Sequence, residues 1–190
     1  MCFIVHGKDN TVLKELKALL KGDGVNTIIL HEQPSKGMTL IEKLEEYFKT
    51  VGFAFIILTT EDVGMGQLEV TQMISKAILK KNATQEELTE FFIAHPTQFG
   101  KAMTDLIKLF KQRARQNVIL EFGYFIGKLG RGKVCCLYKG SIELPSDMSG
   151  ICYIHFENSV SEVWEIILKE LRAIGYETKV AFEFHYKDKS

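Results

Sequence analysis

The chain has 190 residues, 46% of them hydrophobic, which suffices for one domain with its own core. Its 24 Lys and Arg balance 24 Asp and Glu, and zero net charge argues against a nucleic-acid partner, which needs a basic excess. No apolar run approaches the ~20 residues that cross a bilayer, so no membrane partner is expected. Met1 runs straight into a strand with no leader before it, which reads as a cytoplasmic chain. Cys2, Cys135, Cys136 and Cys152 sit in apolar, strand-like contexts without a CxxC pair, so buried reduced thiols are expected and no metal site.

Residues 2–6 form an apolar run closed by Gly7 and read as a buried parallel strand. Residues 7–10 are a turn and cap for a helix to about Leu20, with Leu13, Leu16, Leu19 and Leu20 inward. Residues 25–30 form a second strand, and 31–38 a polar loop carrying Pro34 and Gly37. Thr39 caps a helix through Phe48, and Glu42 completes a capping box. Residues 51–58 are the most apolar strand and read as central. Strands at 133–138 and 151–155 and a helix at 159–174 follow. This alternation predicts an α/β fold, a parallel sheet of about five strands with helices on both faces. Residues 177–190 read as an added edge strand, with alternation over 177–186, or as a tail.

About fifty residues interrupt the alternation. Periodicity predicts helices at 67–80, from Thr84 through Phe92, and at 98–112, inserted as a unit at about 67–112 in a single domain of residues 1–176. Phe91, Phe92, Phe99 and Phe110 are expected to be covered, by each other, by the sheet or by a partner. After the insertion, Val118, Phe122, Phe125 and Leu129 recur at helical spacing, and Gly130 is placed to end that helix. Gly123 and Gly127 lie opposite the apolar stripe, which suggests close approach of another helix.

One carboxylate, Glu121, falls at the edge of the buried stripe, where desolvation penalises its charge. Two readings stand: a Glu near a helix N-terminus favoured by the dipole, or a perturbed functional acid. Ligands of open parallel sheets bind beyond the carboxyl ends of the strands. The loops at 7–9, 32–39 and 59–66 and the start of the Glu121 helix share that end. They bring Lys8, Ser35, Asp62, Arg113 and Arg115 around one carboxylate. The two arginines suit a phosphorylated ligand, or form a solvated basic turn. No GxGxxG or Walker motif is present, which disfavours an ordinary dehydrogenase or P-loop enzyme.

Three stretches carry a resemblance: FIVHGKD at residues 3–9, ILHEQPSKG at 29–37 and RARQNVILEFGYFIGKLG at 113–130. LPSD at 144–147 followed by Gly150 adds to it. Together they resemble the bacterial TIR-like predicted nucleotide-binding domains, which are similar to the TIR half of STING-TIR antiphage effectors. The resemblance covers nearly the whole chain apart from the insertion and the tail. It implies a flavodoxin-like TIR fold and NAD+ glycohydrolase activity in antiphage or stress signalling, with Glu121 catalytic and 32–39 as the mobile BB loop. Asn117, one turn before Glu121, fits the bacterial group, where animal and plant relatives often carry an aromatic or cysteine. The expected substrate-binding set is His6, Gly7, Lys8, Asp9, Ser35, Gly37, Asp62, Arg113, Arg115 and Asn117. NAD+ is then substrate, no cofactor is needed, and a homo-oligomer through TIR surfaces is expected. The insertion departs from the group's pattern. A catalytically silent TIR-like nucleotide-binding or assembly module, and a nucleoside deoxyribosyltransferase-like enzyme, remain as alternatives.

Overall fold

The computed structural model describes residues 1–64, 66, 84–146 and 150–178. The expected helix at 67–80, Asp147 and most of the expected edge strand at 177–186 lie outside the described residues. In chain order the elements are β1 (Cys2–Val5), α1 (Asn10–Gly22), β2 (Thr27–Ile29), α2 (Leu40–Phe48), β3 (Phe53–Leu58) and β4 (Asp62–Gly64). There follow α3 (Gln85–Ala94), α4 (Pro96–Leu109), β5 (Lys111–Arg113), α5 (Gln116–Leu129), β6 (Val134–Lys139), β7 (Cys152–Phe156) and α6 (Trp164–Ala173).

The elements divide between two compact units, one of residues 1–61 with 114–178 and one of 62–113. The first carries a five-stranded sheet in the order β2-β1-β3-β6-β7, with every neighbouring pair parallel. This flavodoxin-like order reverses between β1 and β3, because the chain winds outward from β1 to β2 and then returns past β1.

Side-chain alternation along the strands builds two cores. Ile4, Phe55, Ile57 and Leu137 face Val12, Leu16 and Leu20 of α1 and Ile167 and Leu171 of α6. Phe3, Val5, Ile56 and Leu58 face Leu44 of α2 and Val118, Phe122 and Phe125 of α5. All six residues of β3 are buried, as a strand covered on both faces must be. The expected stripe on α5 is therefore its core face. Cys2, Cys135 and Cys136 are buried free thiols, while Cys152 is half-buried with its sulfur 3.8 Å from that of Cys135.

Local chemistry sets the helix ends. Thr39 and Glu42 form the expected capping box at α2. Gly130 ends α5 with φ at +82°, but its ψ of 159° puts it outside the left-handed helical basin. Ser159 caps a short 3-10 turn, Val160–Val163, before α6 begins, so the helix expected from 159 starts later.

The second unit holds α3, α4 and a two-stranded antiparallel ribbon in which Asp62 faces Arg113 and Gly64 faces Lys111. Pro96 starts α4, its fixed φ suiting a first helical position. The helix expected over 98–112 stops at Leu109, because Lys111–Arg113 extends to pair with Asp62–Gly64. That pairing joins residues about fifty apart, and no local periodicity reports it. Phe110, expected to be covered, is 44% exposed. The side chains of Phe91, Phe92 and Phe99 are outside the described residues.

Candidate functional site

The carboxyl ends of β1 and β2, the loop before α2 and the first turns of α5 enclose a cavity of about 670 Å³. This is the size class of small-molecule sites, and it lies at the edge where strand order reverses. His6, Gly7 and Lys8 line it from the loop after β1, Asn10 from the start of α1, Ile29 from the end of β2, and Leu30 and His31 from the 3-10 turn that follows it. Ser35, Met38, Leu40 and Lys43 line it from the loop and α2. Arg115, Asn117, Val118 and Glu121 close it from α5.

The fold places Glu121 there by helical phase. Val118, Phe122 and Phe125 must point into the core, which leaves Glu121 half-buried at the edge of that face. Its carboxyl is pushed up to about 7 by desolvation, opposed by the positive charge of Arg115. Arg115 is the residue before the first turn of α5 and caps it with no side-chain hydrogen bond. A carboxyl titrating near neutrality in a concave site, beside a cation, suits acid–base or charge-stabilising work.

The loop after β1 is held by a second carboxylate, Glu61, just past the end of β3. Lys8 donates its backbone N–H to Glu61 Oε1 at 2.5 Å, and the Thr59 hydroxyl donates at 3.0 Å. Gly7 permits this approach, since a Cβ there would lie 1.7 Å from Glu61 Oε1. Glu61 Oε2 is buried without a partner. The sequence reading missed Glu61. A glycine closing the first strand is its only local trace, because the contact spans 53 positions.

His6 and His31 meet at 3.0 Å between Nε2 and Nδ1, with ring centroids 4.7 Å apart. Burial, and then the neighbouring His31, holds His6 below the ordinary histidine range. His6 Nδ1 is buried without a partner. His31 and Lys43 are cavity residues that the sequence reading did not select.

Of the residues expected at the site, His6, Gly7, Lys8, Ser35, Arg115, Asn117 and Glu121 come together in the cavity wall. Asp9 is instead the cap of α1, accepting from the backbone N–H groups of Thr11 at 2.9 Å and Val12 at 3.3 Å. Gly37 lies outside the wall and takes φ of +72° in the loop before α2. Asp62 and Arg113 belong to the second unit, where they are partners in the β4–β5 ribbon. The Arg113 guanidinium folds over Gly64, at 2.2 Å from where a Cβ would stand. Among the described residues, no group of three or more His, Cys, Asp or Glu could hold a metal ion. No helix among them is long and apolar enough to cross a membrane.

Residues 1–158 match the family model described as CAP12/Pycsar effector protein, TIR domain. The chain is 36% identical over 155 residues to YuaY of Escherichia coli (strain K12), covering 82% of this chain and 39% of that protein. It is 31% identical over 167 residues to protein tirC of Dictyostelium discoideum, covering 85% of this chain and 66% of tirC. A shorter match, 39% over 46 residues, joins it to CD-NTase-associated protein 12 of Flavobacterium daejeonense, covering 24% of this chain and 15% of that protein. The chain thus spans less than two thirds of the length of each of these relatives. The parallel sheet in flavodoxin-like order and the match over residues 1–158 agree: the chain belongs to the TIR-domain family of CAP12/Pycsar effectors.

Proposed function

We propose that this domain is an NAD+ glycohydrolase serving antiphage or stress signalling in the cytoplasm, with Glu121 as its catalytic carboxylate. The observation that carries the reading is Glu121 itself, desolvated in the cavity wall and titrating near 7 beside Arg115. Nicotinamide leaves NAD+ as a neutral base, so its departure needs no general acid. The bond between ribose C1′ and the pyridinium nitrogen breaks with its electron pair going to nitrogen, and an oxocarbenium-like ribose remains. A carboxylate beside that ribose accepts hydrogen bonds from its hydroxyls and stabilises the positive charge. Water then adds at C1′ and releases a proton, giving ADP-ribose; attack by a group of the same molecule gives a cyclised product. Arg115 holds part of Glu121 ionised at neutral pH. Self-association through TIR surfaces belongs to the same proposal.

The test is NAD+ consumption by the parent and by Glu121→Gln across a range of protein concentrations, with deoxynucleosides as a separate substrate arm. Loss of cleavage in a variant that keeps its circular dichroism spectrum is the expected result. Base exchange on deoxynucleosides without NAD+ cleavage points to a deoxyribosyltransferase instead. Undiminished cleavage by a folded Glu121→Gln protein removes Glu121 from its role.

A further inference from the structure

Lys43 is the least expected member of the cavity wall. It lies on α2 with only 8% of its surface exposed. Its ammonium donates one hydrogen bond, to the Gln33 carbonyl at 2.5 Å. That leaves two N–H donors, and no salt bridge among the described residues includes Lys43. A buried charge normally has an opposite charge beside it, because one neutral acceptor compensates only part of its desolvation. The other cations of the same wall are Lys8 and Arg115. Against these three stand one carboxyl group in the wall, Glu121, and one just behind it, Glu61, whose Oε1 takes the Lys8 backbone N–H. The wall therefore has an excess of positive charge, suited to an anionic ligand of more than one negative charge.

We propose that Lys43 binds the diphosphate of the ligand, and that this contact makes the cavity select dinucleotides and nucleoside diphosphates over nucleosides. The inference rests on the NAD+ reading for the identity of the substrate, but its physical claim concerns a diphosphate alone. In the free protein Lys43 holds the carbonyl of Gln33; with ligand bound, its spare N–H groups donate to phosphate oxygens. The same side chain thus ties the loop before α2 to occupancy of the cavity.

The test is calorimetric titration of the whole chain with inorganic pyrophosphate, ADP-ribose and adenosine, for the parent, Lys43→Met and Lys43→Arg. A hydrogen bond to a charged group corresponds to about a tenfold to hundredfold change in affinity. Lys43→Met is expected to weaken pyrophosphate and ADP-ribose by that factor and leave adenosine unchanged, with partial retention in Lys43→Arg. Lys43→Gln, whose amide still donates to the Gln33 carbonyl without a charge, serves if Lys43→Met does not fold. Unchanged pyrophosphate affinity in Lys43→Met or Lys43→Gln overturns the proposal and leaves Lys43 as a loop anchor; so does a parent that binds no pyrophosphate. Because binding is read without turnover, the two readings fail separately. A parent that binds pyrophosphate through Lys43 but leaves NAD+ intact loses only the glycohydrolase reading. NAD+ cleavage with pyrophosphate affinity independent of Lys43 loses only this one.

Discussion

Glu61 and Glu121 show how one fold gives two carboxylates opposite surroundings. Glu61, just past the end of β3, has its Oε1 held by the Lys8 N–H and the Thr59 hydroxyl. Its place is kept open by a glycine. Glu121, in the second turn of α5, takes its shift from burial first and from Arg115 second. A carboxylate fixed by donors is a structural tie, whereas one penalised by desolvation is ready to change its charge or take up a ligand's charge. The difference comes from what surrounds the oxygens, since the side chains are identical.

The largest effect on stability is expected at the tie. Gly7→Ala drives its new methyl into the place of the Glu61 carboxylate, which must swing away from Lys8 and Thr59. Losing a charged hydrogen-bond pair of this kind costs about 1–3 kcal/mol. Urea unfolding measures it, and a double-mutant cycle sharpens it. In a Glu61→Ala background the same Gly7→Ala change should cost much less, because the carboxylate is gone. An equal cost in both backgrounds would break the assignment of Glu61 as a tie.

Next comes the pH dependence of Glu121. Its carboxyl titrates near 7 in the folded protein against an ordinary value of 4.5, so between those pH values the native state keeps a proton that the unfolded chain has released. Unfolding free energy from this group therefore falls as pH rises through that window, and the penalty is complete above it. Glu121→Gln removes the penalty, and should raise stability on the order of 1 kcal/mol at about pH 8, with partial exposure discounted, and little at about pH 4. Thermal melts at the two pH values check the sign. If the ionised form is active, NAD+ cleavage rises with a midpoint near the folded-state value of about 7, and Arg115→Ala moves that midpoint upward. A midpoint that stays fixed in Arg115→Ala would uncouple the pair.

The smallest effect lies on the back of α5. Gly123 and Gly127 are exposed, and a Cβ at either meets nothing within 4 Å among the described residues. Gly127→Ala should then stabilise the helix by about 0.5–1 kcal/mol and leave cleavage unchanged. A loss of cleavage or self-association instead would mean that an assembled form covers that face.

The sequence by itself determined the layered parallel fold and the identity of α5. The unbroken apolar run 53–58 and the stripe of Val118, Phe122 and Phe125 report their burial locally, the first through continuity over a strand's length and the second through a period of 3.6 residues. The capping box of Thr39 and Glu42 was legible for the same reason, its two partners lying three residues apart. Glu121 was visible as a carboxylate out of phase with solvent on an apolar helix. Only the tertiary structure decided the rest. It assigned Asp9 to a helix cap and paired Asp62 with Arg113 in a ribbon. It also brought Glu61 under Gly7, His31 against His6, and Lys43 into the cavity wall. The Glu61, His31 and ribbon contacts join residues 25 or more apart, and Lys43 meets its cavity partners only once α2 packs beside the sheet. A side chain's desolvation and hydrogen-bond partners arise when separate elements are brought together, and no window along the chain contains them.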